Sequence, residues 1–175
     1  MTGVSSVSLL VGRAREGDYG AFEELVRPLL PRAVGSALLI TGNMSDAEDA
    51  AQDALLAAWR DVATVRSPDA FPAWFRWLVV RAAVRRAIRR RKDAAVGLDA
   101  VPLDSLHDSV EHGVWLRQAF AALSPNDRAV VTARYYFGYS TAETAALLGV
   151  PVGTVKSRLH YALGRLRIAG TGGDE

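Results

Sequence analysis

The sequence predicts an all-α protein of two small helical domains joined by an acidic flexible linker. Apolar residues recur at spacings of three and four along most of the chain, and no segment alternates as a strand does. Charge is strongly segregated: residues 76–92 carry eight Arg or Lys and no acid, while residues 93–111 carry five acids and no Arg or Lys. With 175 residues, half of them hydrophobic, the chain can bury one moderate core or two small ones.

The first domain is predicted over residues 9–92 and begins with an amphipathic helix. Its apolar residues follow the helical spacing from Phe22 to Leu38, and Gly42 with Asn43 supplies a stop.

A second helix is predicted from a capping box formed by Ser45 and Glu48. Away from its apolar stripe it displays an acidic face about two turns long, which favours binding of a protein partner. A divalent-cation site is the less favoured alternative, because helical spacing spreads the acids and no glycine-bearing loop supplies carbonyl ligands. The candidate partner-binding residues are Asp46, Asp49, Gln52, Asp53, Leu56 and Arg60.

A third, long helix is predicted from an N-cap at Ser67 and Pro68 in the first turn. It combines aromatic rings with the basic residues of 76–92, the mixture that binds single-stranded DNA by stacking bases and pairing phosphates. The alternative is a solvated helix face. We expect Phe71, Trp74, Phe75 and Leu78 to be mostly buried, which leaves as DNA-binding candidates Trp77, Arg81, Arg85, Arg86, Arg89, Arg90, Arg91 and Lys92.

Residues 93–112 form the predicted linker, which contains Gly and Pro and lacks helical periodicity. A second domain is predicted over residues 113–170. A short helix that includes Val114 is predicted first, Ser124 and Pro125 open the next, and Gly138 lies where a left-handed C-cap is expected.

A helix-turn-helix is predicted after these elements. A capping box at Ser140 and Glu143 begins its first helix, Gly149 lies in the turn, and the last helix covers residues 152–166.

The last helix presents small residues and hydrogen-bond donors opposite its apolar stripe. A recognition helix enters the major groove by its N-terminal end, where Lys or Arg reaches guanine and hydroxyls reach phosphate. Lys156 and Arg158 are therefore the first candidates for base contacts. The full candidate set for duplex DNA is Ser140, Thr141, Gly153, Thr154, Lys156, Ser157, Arg158, His160 and Tyr161.

The segment LSPNDRAVVTARYYFGYSTAETAALLGVPVGTVKSRLHYALGRLR (residues 123–167) resembles region 4 of an extracytoplasmic-function (ECF) sigma factor of the sigma-70 family. This resemblance implies that the second domain reads the −35 promoter element and packs against the flap of the polymerase β subunit. It also implies an anti-sigma protein as a partner.

The first domain resembles sigma region 2, a three-helix bundle. GAFEELVRPLL (residues 20–30) and SDAEDAAQDALLAAW (residues 45–59) resemble the helices that bind the β′ clamp of core RNA polymerase, and FPAWFRWLVVRAAVRRAIRRRK (residues 71–92) resembles the segment that captures the melted −10 element. Many ECF members place an Asn and, four residues on, an Asp where this chain has Ala82 and Arg86. We therefore expect the choice of −10 bases to differ or relax.

The composition excludes several classes of function. With no cysteine and three scattered histidines, thiol chemistry, a thiolate zinc site and an imidazole cluster are excluded, and we expect no cofactor and no catalysis. No membrane helix or signal peptide is evident, so a cytoplasmic protein is expected. Two alternatives stay open: a stand-alone helix-turn-helix regulator that acts without polymerase, and a metal-dependent nuclease built on residues 46–53.

Overall fold

The computed structural model describes residues 6–95 and 119–171, and within those ranges it contains helices and turns but no β-strand. The N-terminal half holds α1 (Ser6–Arg15), α2 (Tyr19–Val26), α3 (Leu30–Thr41), α4 (Met44–Asp61) and α5 (Phe71–Ala95). The C-terminal half holds α6 (Pro125–Val131), α7 (Thr141–Leu148) and α8 (Val152–Thr171). Short 3-10 turns lie at Arg27–Leu29, Val62–Thr64 and Pro68–Ala70, and a π-turn at Thr132–Tyr136 extends α6.

The first predicted helix is divided in the structure. Pro28 lies in the 3-10 turn between α2 and α3, and Pro31 lies in the first turn of α3. Proline has no backbone N–H and is tolerated only in the first turn of a helix, so each proline starts a new element instead of continuing the old one. The predicted stop is confirmed, because Gly42 has a φ of 83° and its N–H donates to the Leu38 carbonyl.

The predicted capping box at the start of the second helix is wrong. Asn43, in extended backbone, is the N-cap of α4, and its side-chain oxygen accepts from the Asp46 N–H at 2.8 Å. Ser45 lies inside the helix, two residues after the cap. The carboxamide immediately after the glycine stop satisfies one of the free N–H groups of the next helix, so one helix ends and the next begins within two residues.

Helices α3, α4 and α5 form the core of the N-terminal half. Phe71 and Phe75 are fully buried and stack with ring centroids 6.2 Å apart, as the expectation of buried rings requires. Trp74 and Leu78 are half-buried at the edge of the same cluster. Helix α5 continues three residues past the predicted domain end at Lys92, and most of the predicted linker lies outside the described residues.

The helix starts and turns predicted for the C-terminal half are present in the structure. Ser124 caps α6, with Pro125 in the first turn, and Gly138 has a φ of 73° after the π-turn. Residues 119–122 are helical, while Val114, in the short helix predicted before Ser124, lies outside the described residues. The buried residues that hold these helices together are Leu123, Val130, Val131, Ala145, Val155 and Ala162.

The two halves pack directly against each other. Ala129, Ala133 and Leu147 of the C-terminal half belong to the same buried cluster as the core of the N-terminal half. Polar contacts join the same surfaces: Arg76 Nε donates to the Tyr139 hydroxyl at 2.6 Å, and Arg32 donates to the Tyr136 carbonyl at 3.2 Å. Most of the predicted linker lies outside the described residues, and the two halves that it joins are in extensive contact with each other.

Candidate nucleic-acid and partner interfaces

Helix α8 presents polar residues to solvent over its first turns. Val155 and Ala162 are fully buried, which turns Lys156, Ser157 and His160 to the exposed side, with Arg158 and Thr154 half-buried beside them. Gly153 adds no side chain at the helix start. This arrangement gives a cationic, sterically open N-terminal end, the geometry by which a recognition helix enters a major groove.

Some hydroxyls predicted to contact DNA already have partners. The Ser140 hydroxyl accepts from the Glu143 N–H, while the Glu143 carboxylate accepts from the Ser140 N–H at 2.7 Å, so both bonds of the predicted capping box are present. Hydrogen bonding from Ser140 holds the pKa of Glu143 below its usual value. Ser157 donates to the Thr154 carbonyl, and the Tyr161 hydroxyl accepts from Arg165. Ser140 therefore caps the first helix of the motif, and Tyr161 forms a hydrogen bond within its second helix, in addition to their predicted contacts with DNA.

The exposed side of α5 carries the strongest concentration of cations. Arg81, Arg85, Arg89, Arg91 and Lys92 are exposed. Trp77 is half-buried, and the Arg81 guanidinium lies over its ring at 4.4 Å from the centroid. A cation over an aromatic face holds that ring in place. The helix therefore places one ring at the start of a row of cations, an arrangement that suits a single strand with one stacked base.

Arg86 and Arg90 depart from the predicted basic stripe, because both are paired within the protein. Arg86 contacts Asp53 through Nε at 3.0 Å and Nη2 at 2.8 Å, and Asp49 through Nη1 at 2.9 Å. Arg90 contacts Asp46 at 2.8 Å. The bundle brings the basic helix beside the acidic one, so opposite charges that are far apart in sequence meet. The expectation that the arginines of α5 lie at the surface as free cations is corrected at these two positions and at Arg76, which donates to the Tyr139 hydroxyl.

The acidic face of α4 is consequently part of a charge network. Asp49 and Asp53 keep about half of their side-chain surface exposed, whereas Asp46 keeps 17%. Gln52 and Leu56 lie on the exposed side of the same helix, Leu56 with 64% of its surface accessible. Arg60 forms an ion pair with its neighbour Asp61 at 2.9 Å. The face thus combines oriented carboxylates with one large exposed apolar side chain.

Basic residues of both halves meet in one cleft. Arg81 and Arg85 of α5 and Arg158 of α8 line a space of about 240 Å³, whose other walls are Val80, Val84, Asn126, Leu148 and Val150. No acid lines it. The two predicted DNA-binding surfaces are therefore neighbours in this arrangement.

Sequence reasoning did not identify Arg128, which joins the two halves. Its guanidinium donates to the carbonyls of Phe120 at 2.8 Å and Ala121 at 2.7 Å, and across the contact to those of Ile40 at 3.1 Å and Thr41 at 3.3 Å. Burial, with a smaller effect from the charge of Arg91, lowers the pKa of Arg128. A lone arginine in the last turn of a short helix carries no sequence signal of this role, since its partners are backbone carbonyls.

The structure also bears on the metal-dependent alternative. Among the described residues, no group of three or more His, Asp or Glu side chains is arranged to hold a metal ion. The carboxylates proposed for a nuclease are those that pair with Arg86 and Arg90. Within the same residues, no helix is long and apolar enough to cross a membrane.

A helix-turn-helix packed on a helical bundle with a basic, aromatic helix defines a DNA-binding protein of transcription. Family comparison agrees with this class: the family described as "Sigma-70 region 2" matches residues 25–93, and "Sigma-70, region 4" matches residues 113–166. Sigma factors of known name match over most of their length. The chain belongs to the ECF group of the sigma-70 family.

Three relatives illustrate the match. The ECF RNA polymerase sigma factor SigM of Mycobacterium tuberculosis is 36% identical over 151 residues, which cover 86% of this chain and 77% of SigM. SigL of the same species is 39% identical over 141 residues, covering 75% and 78%. The RNA polymerase sigma-E factor of Streptomyces avermitilis is 36% identical over 157 residues, covering 86% of each chain.

Solved structures share the fold. CnrH, in complex with the cytosolic domain of CnrY, matches with a TM-score of 0.69 at 24% identity, over 97% of this chain and 100% of CnrH. The sigma factor RpoE of Bartonella quintana, in complex with the anti-sigma factor NepR, matches with a TM-score of 0.68 at 24% identity, over 88% and 98%.

Family membership decides between the regulatory alternatives. The protein binds RNA polymerase and directs it to promoters, so the stand-alone helix-turn-helix regulator is wrong. The family is one of transcription factors.

Proposed function

We propose that this sigma factor divides promoter recognition between the two halves described above and acts by binding alone, without catalysis. Helix α8 reads the −35 duplex, and the exposed residues of α5 hold one strand of the melted −10 element. The single observation that carries this proposal is the exposed cationic start of α8, with Lys156 and Ser157 outward and Val155 fully buried. The domain limits of 9–92, 93–112 and 113–170 remain a prediction.

Melting follows from differential binding in this proposal. A protein that holds unpaired bases of one strand more tightly than the duplex shifts the equilibrium toward the open state without nucleotide hydrolysis by the factor itself. Trp77 supplies a ring, while Arg81, Arg85, Arg89, Arg91 and Lys92 supply exposed cations along the same helix. Stacking combined with phosphate neutralisation is tolerant of sequence, which suits a helix that has no Asn or Asp at positions 82 and 86.

The acidic face of α4 is proposed to bind the β′ clamp of core polymerase, and the C-terminal half the β flap. Charged groups at such a surface guide encounter and register, and the exposed Leu56 offers apolar contact beside them. An anti-sigma protein is a further proposed partner, and the cytoplasm is the proposed place of action. Support for the anti-sigma partner comes from the two fold neighbours, both of which were solved as complexes: CnrH with CnrY, and RpoE with NepR.

The test is reconstitution of the purified protein with sigma-free core polymerase, followed by genome-wide run-off transcription to identify its promoters. Lys156→Ala and Arg158→Ala should each cost about 1–3 kcal/mol in promoter binding if they contact bases or make strong phosphate contacts. The loss should be confined to templates with an intact −35 element. Equal transcription by the wild-type protein from intact and −35-mutated promoters would refute the assignment of α8.

Reversing the charge of Asp49 and Asp53 tests the clamp assignment. The double variant should compete poorly for core polymerase and bind duplex DNA as the wild type does. Undiminished competition for core would contradict the proposal for α4.

A further inference from the structure

We infer that Arg86 is a positioning residue of the polymerase-binding face of α4, and that it does not contact the melted DNA strand. The inference rests on the proposed function of that face. Arg86 was predicted to bind DNA with the other arginines of α5, and it is assigned here to the partner-binding residues of α4.

The hydrogen-bonding capacity of Arg86 is directed at α4. Each guanidinium nitrogen has a carboxylate oxygen within 3.0 Å: Nε and Nη2 share Oδ2 of Asp53, and Nη1 contacts Oδ2 of Asp49. Pairing through a fork of two N–H groups is the geometry by which arginine binds phosphate as well. A phosphate could take this fork only after the contact with Asp53 had been broken.

The carboxylates, in contrast, remain available to a partner. Asp49 and Asp53 keep 49% and 47% of their side-chain surface exposed, against 29% for Arg86. All three contacts from Arg86 are made to Oδ2 atoms, and within residues 6–95 and 119–171 the Oδ1 atoms of these aspartates accept no hydrogen bond. Each carboxylate is thus held from one side and open on the other.

The acidic face needs such support. Asp46, Asp49 and Asp53 are spaced by three and four residues, so they lie on one side of α4, where like charges repel. Arg86 binds the second and third, and Arg90 binds the first. Without the arginines the carboxylates would lose their fixed orientation, and a partner would have to order them on binding.

Position 86 also differs from its neighbours on α5. Arg85 and Arg89 are exposed, and among the described residues they form no ion pair or hydrogen bond. Ala82, one turn before Arg86, is 2% exposed and has no group that reads a base. The helix therefore turns one side to α4 and another to solvent, and Arg86 belongs to the first. Arg85 serves as a matched control, because it has the same chemistry one position away.

The experiment compares Arg86→Gln with Arg85→Gln in the full chain. Competition for core RNA polymerase measures the α4 face, and the salt dependence of holoenzyme binding to a forked −10 template measures the strand contact. R86Q should weaken core binding by about threefold to tenfold, as expected for the loss of two partly exposed ion pairs, and leave the salt slope unchanged. R85Q should keep core affinity and lower the slope by about 0.7, the value for one phosphate contact on a single strand.

Two further variants separate positioning from general stability. Arg86→Lys keeps the charge but not the fork, so it should recover part of the core affinity. The swap D53R/R86D restores the ion pair between positions 53 and 86 but places like charges at positions 49 and 86. It also inverts the charge presented to the partner at position 53, so it should recover part of the thermal stability without core binding. Recovery of core binding by the swap would make Arg86 a merely structural residue and overturn the inference.

The D49N/D53N variant distinguishes the two possible failures. If it weakens core binding while R86Q does not, the inference about Arg86 is refuted and the proposed function stands. If neither variant weakens core binding, the clamp assignment itself fails, and the inference fails with it. A lower salt slope in R86Q would return Arg86 to the DNA-binding surface and refute the inference directly.

Discussion

Replacing Arg128 with Met should destabilise the protein by about 3 kcal/mol. The methionine keeps an apolar stem of similar length but removes the charge and every donor. Hydrogen bonds to a charged group contribute about 1.5–3 kcal/mol each, so the two short bonds to Phe120 and Ala121 account for about 3 kcal/mol at the lower bound. The longer bonds to Ile40 and Thr41 share one nitrogen and add about 1 kcal/mol, which the recovered hydration of the helix-end carbonyls offsets by about the same amount.

Urea unfolding measures this loss directly, and thermal unfolding should show it as a decrease in Tm of about 6–12 °C for a chain of this size. The control is Arg27→Met, because Arg27 pairs with Glu23 on the open surface and such pairs contribute little. Arg128→Lys should lie between wild type and Arg128→Met, since it keeps the charge near two helix C-termini but loses the planar fork. A loss in R128M no larger than that in R27M would refute the reasoning that these carbonyls depend on the guanidinium.

Three other perturbations test separate parts of the fold. Ser140→Ala should cost about 1 kcal/mol as a lost N-cap. Because hydrogen bonding from Ser140 lowers the pKa of Glu143, the stability that this contact contributes is present above the usual pKa of 4.5 and is lost as pH falls through the lowered pKa. The stability difference between wild type and S140A should therefore shrink on acidification. A constant difference from pH 6 to pH 3 would contradict this. Gly35→Ala would place a Cβ 2.6 Å from the Tyr136 hydroxyl, so it should destabilise the protein, and adding Tyr136→Phe should restore the stability. Urea unfolding compares the two backgrounds. An equal effect of G35A in both would show that the Tyr136 hydroxyl is not the cause. Phe75→Ala should cost about 3–5 kcal/mol through the cavity it leaves, and a loss below about 1 kcal/mol would show that the bundle core closes around it.

Local chemistry made much of the C-terminal half predictable. The cap at Ser124, the capping box at Ser140 and the left-handed glycine at position 149 involve residues within four positions of one another, and all three are present. Where two local signals compete, the pattern is less reliable. Periodic apolar residues concealed the division at Pro28, and Asn43 reads equally well as the end of one helix or the start of the next.

Interactions between distant segments could not be predicted in the same way. Arg86 and Asp53 are 33 positions apart, and Arg128 lies 88 positions from Ile40, so no periodic pattern in the sequence indicates either pairing. Block counts of charge indicated an acidic face and a basic stripe but not that the bundle would join them. The candidate site was therefore predictable as a set of residue types on helices, while the division of the arginines between structure and surface required the packing.

Helix α5 is unbroken, so its length sets the length of the DNA strand that it can contact. From Trp77 to Lys92 the helix rises about 22 Å at 1.5 Å per residue, a span of roughly six or seven nucleotides at 3.4 Å each. Since no proline or glycine interrupts these positions, the ring and the last cation keep a constant separation. The helix would thus fix the length of the melted segment that it contacts. Four residues inserted between Trp77 and Lys92 would increase the distance between them by about 6 Å.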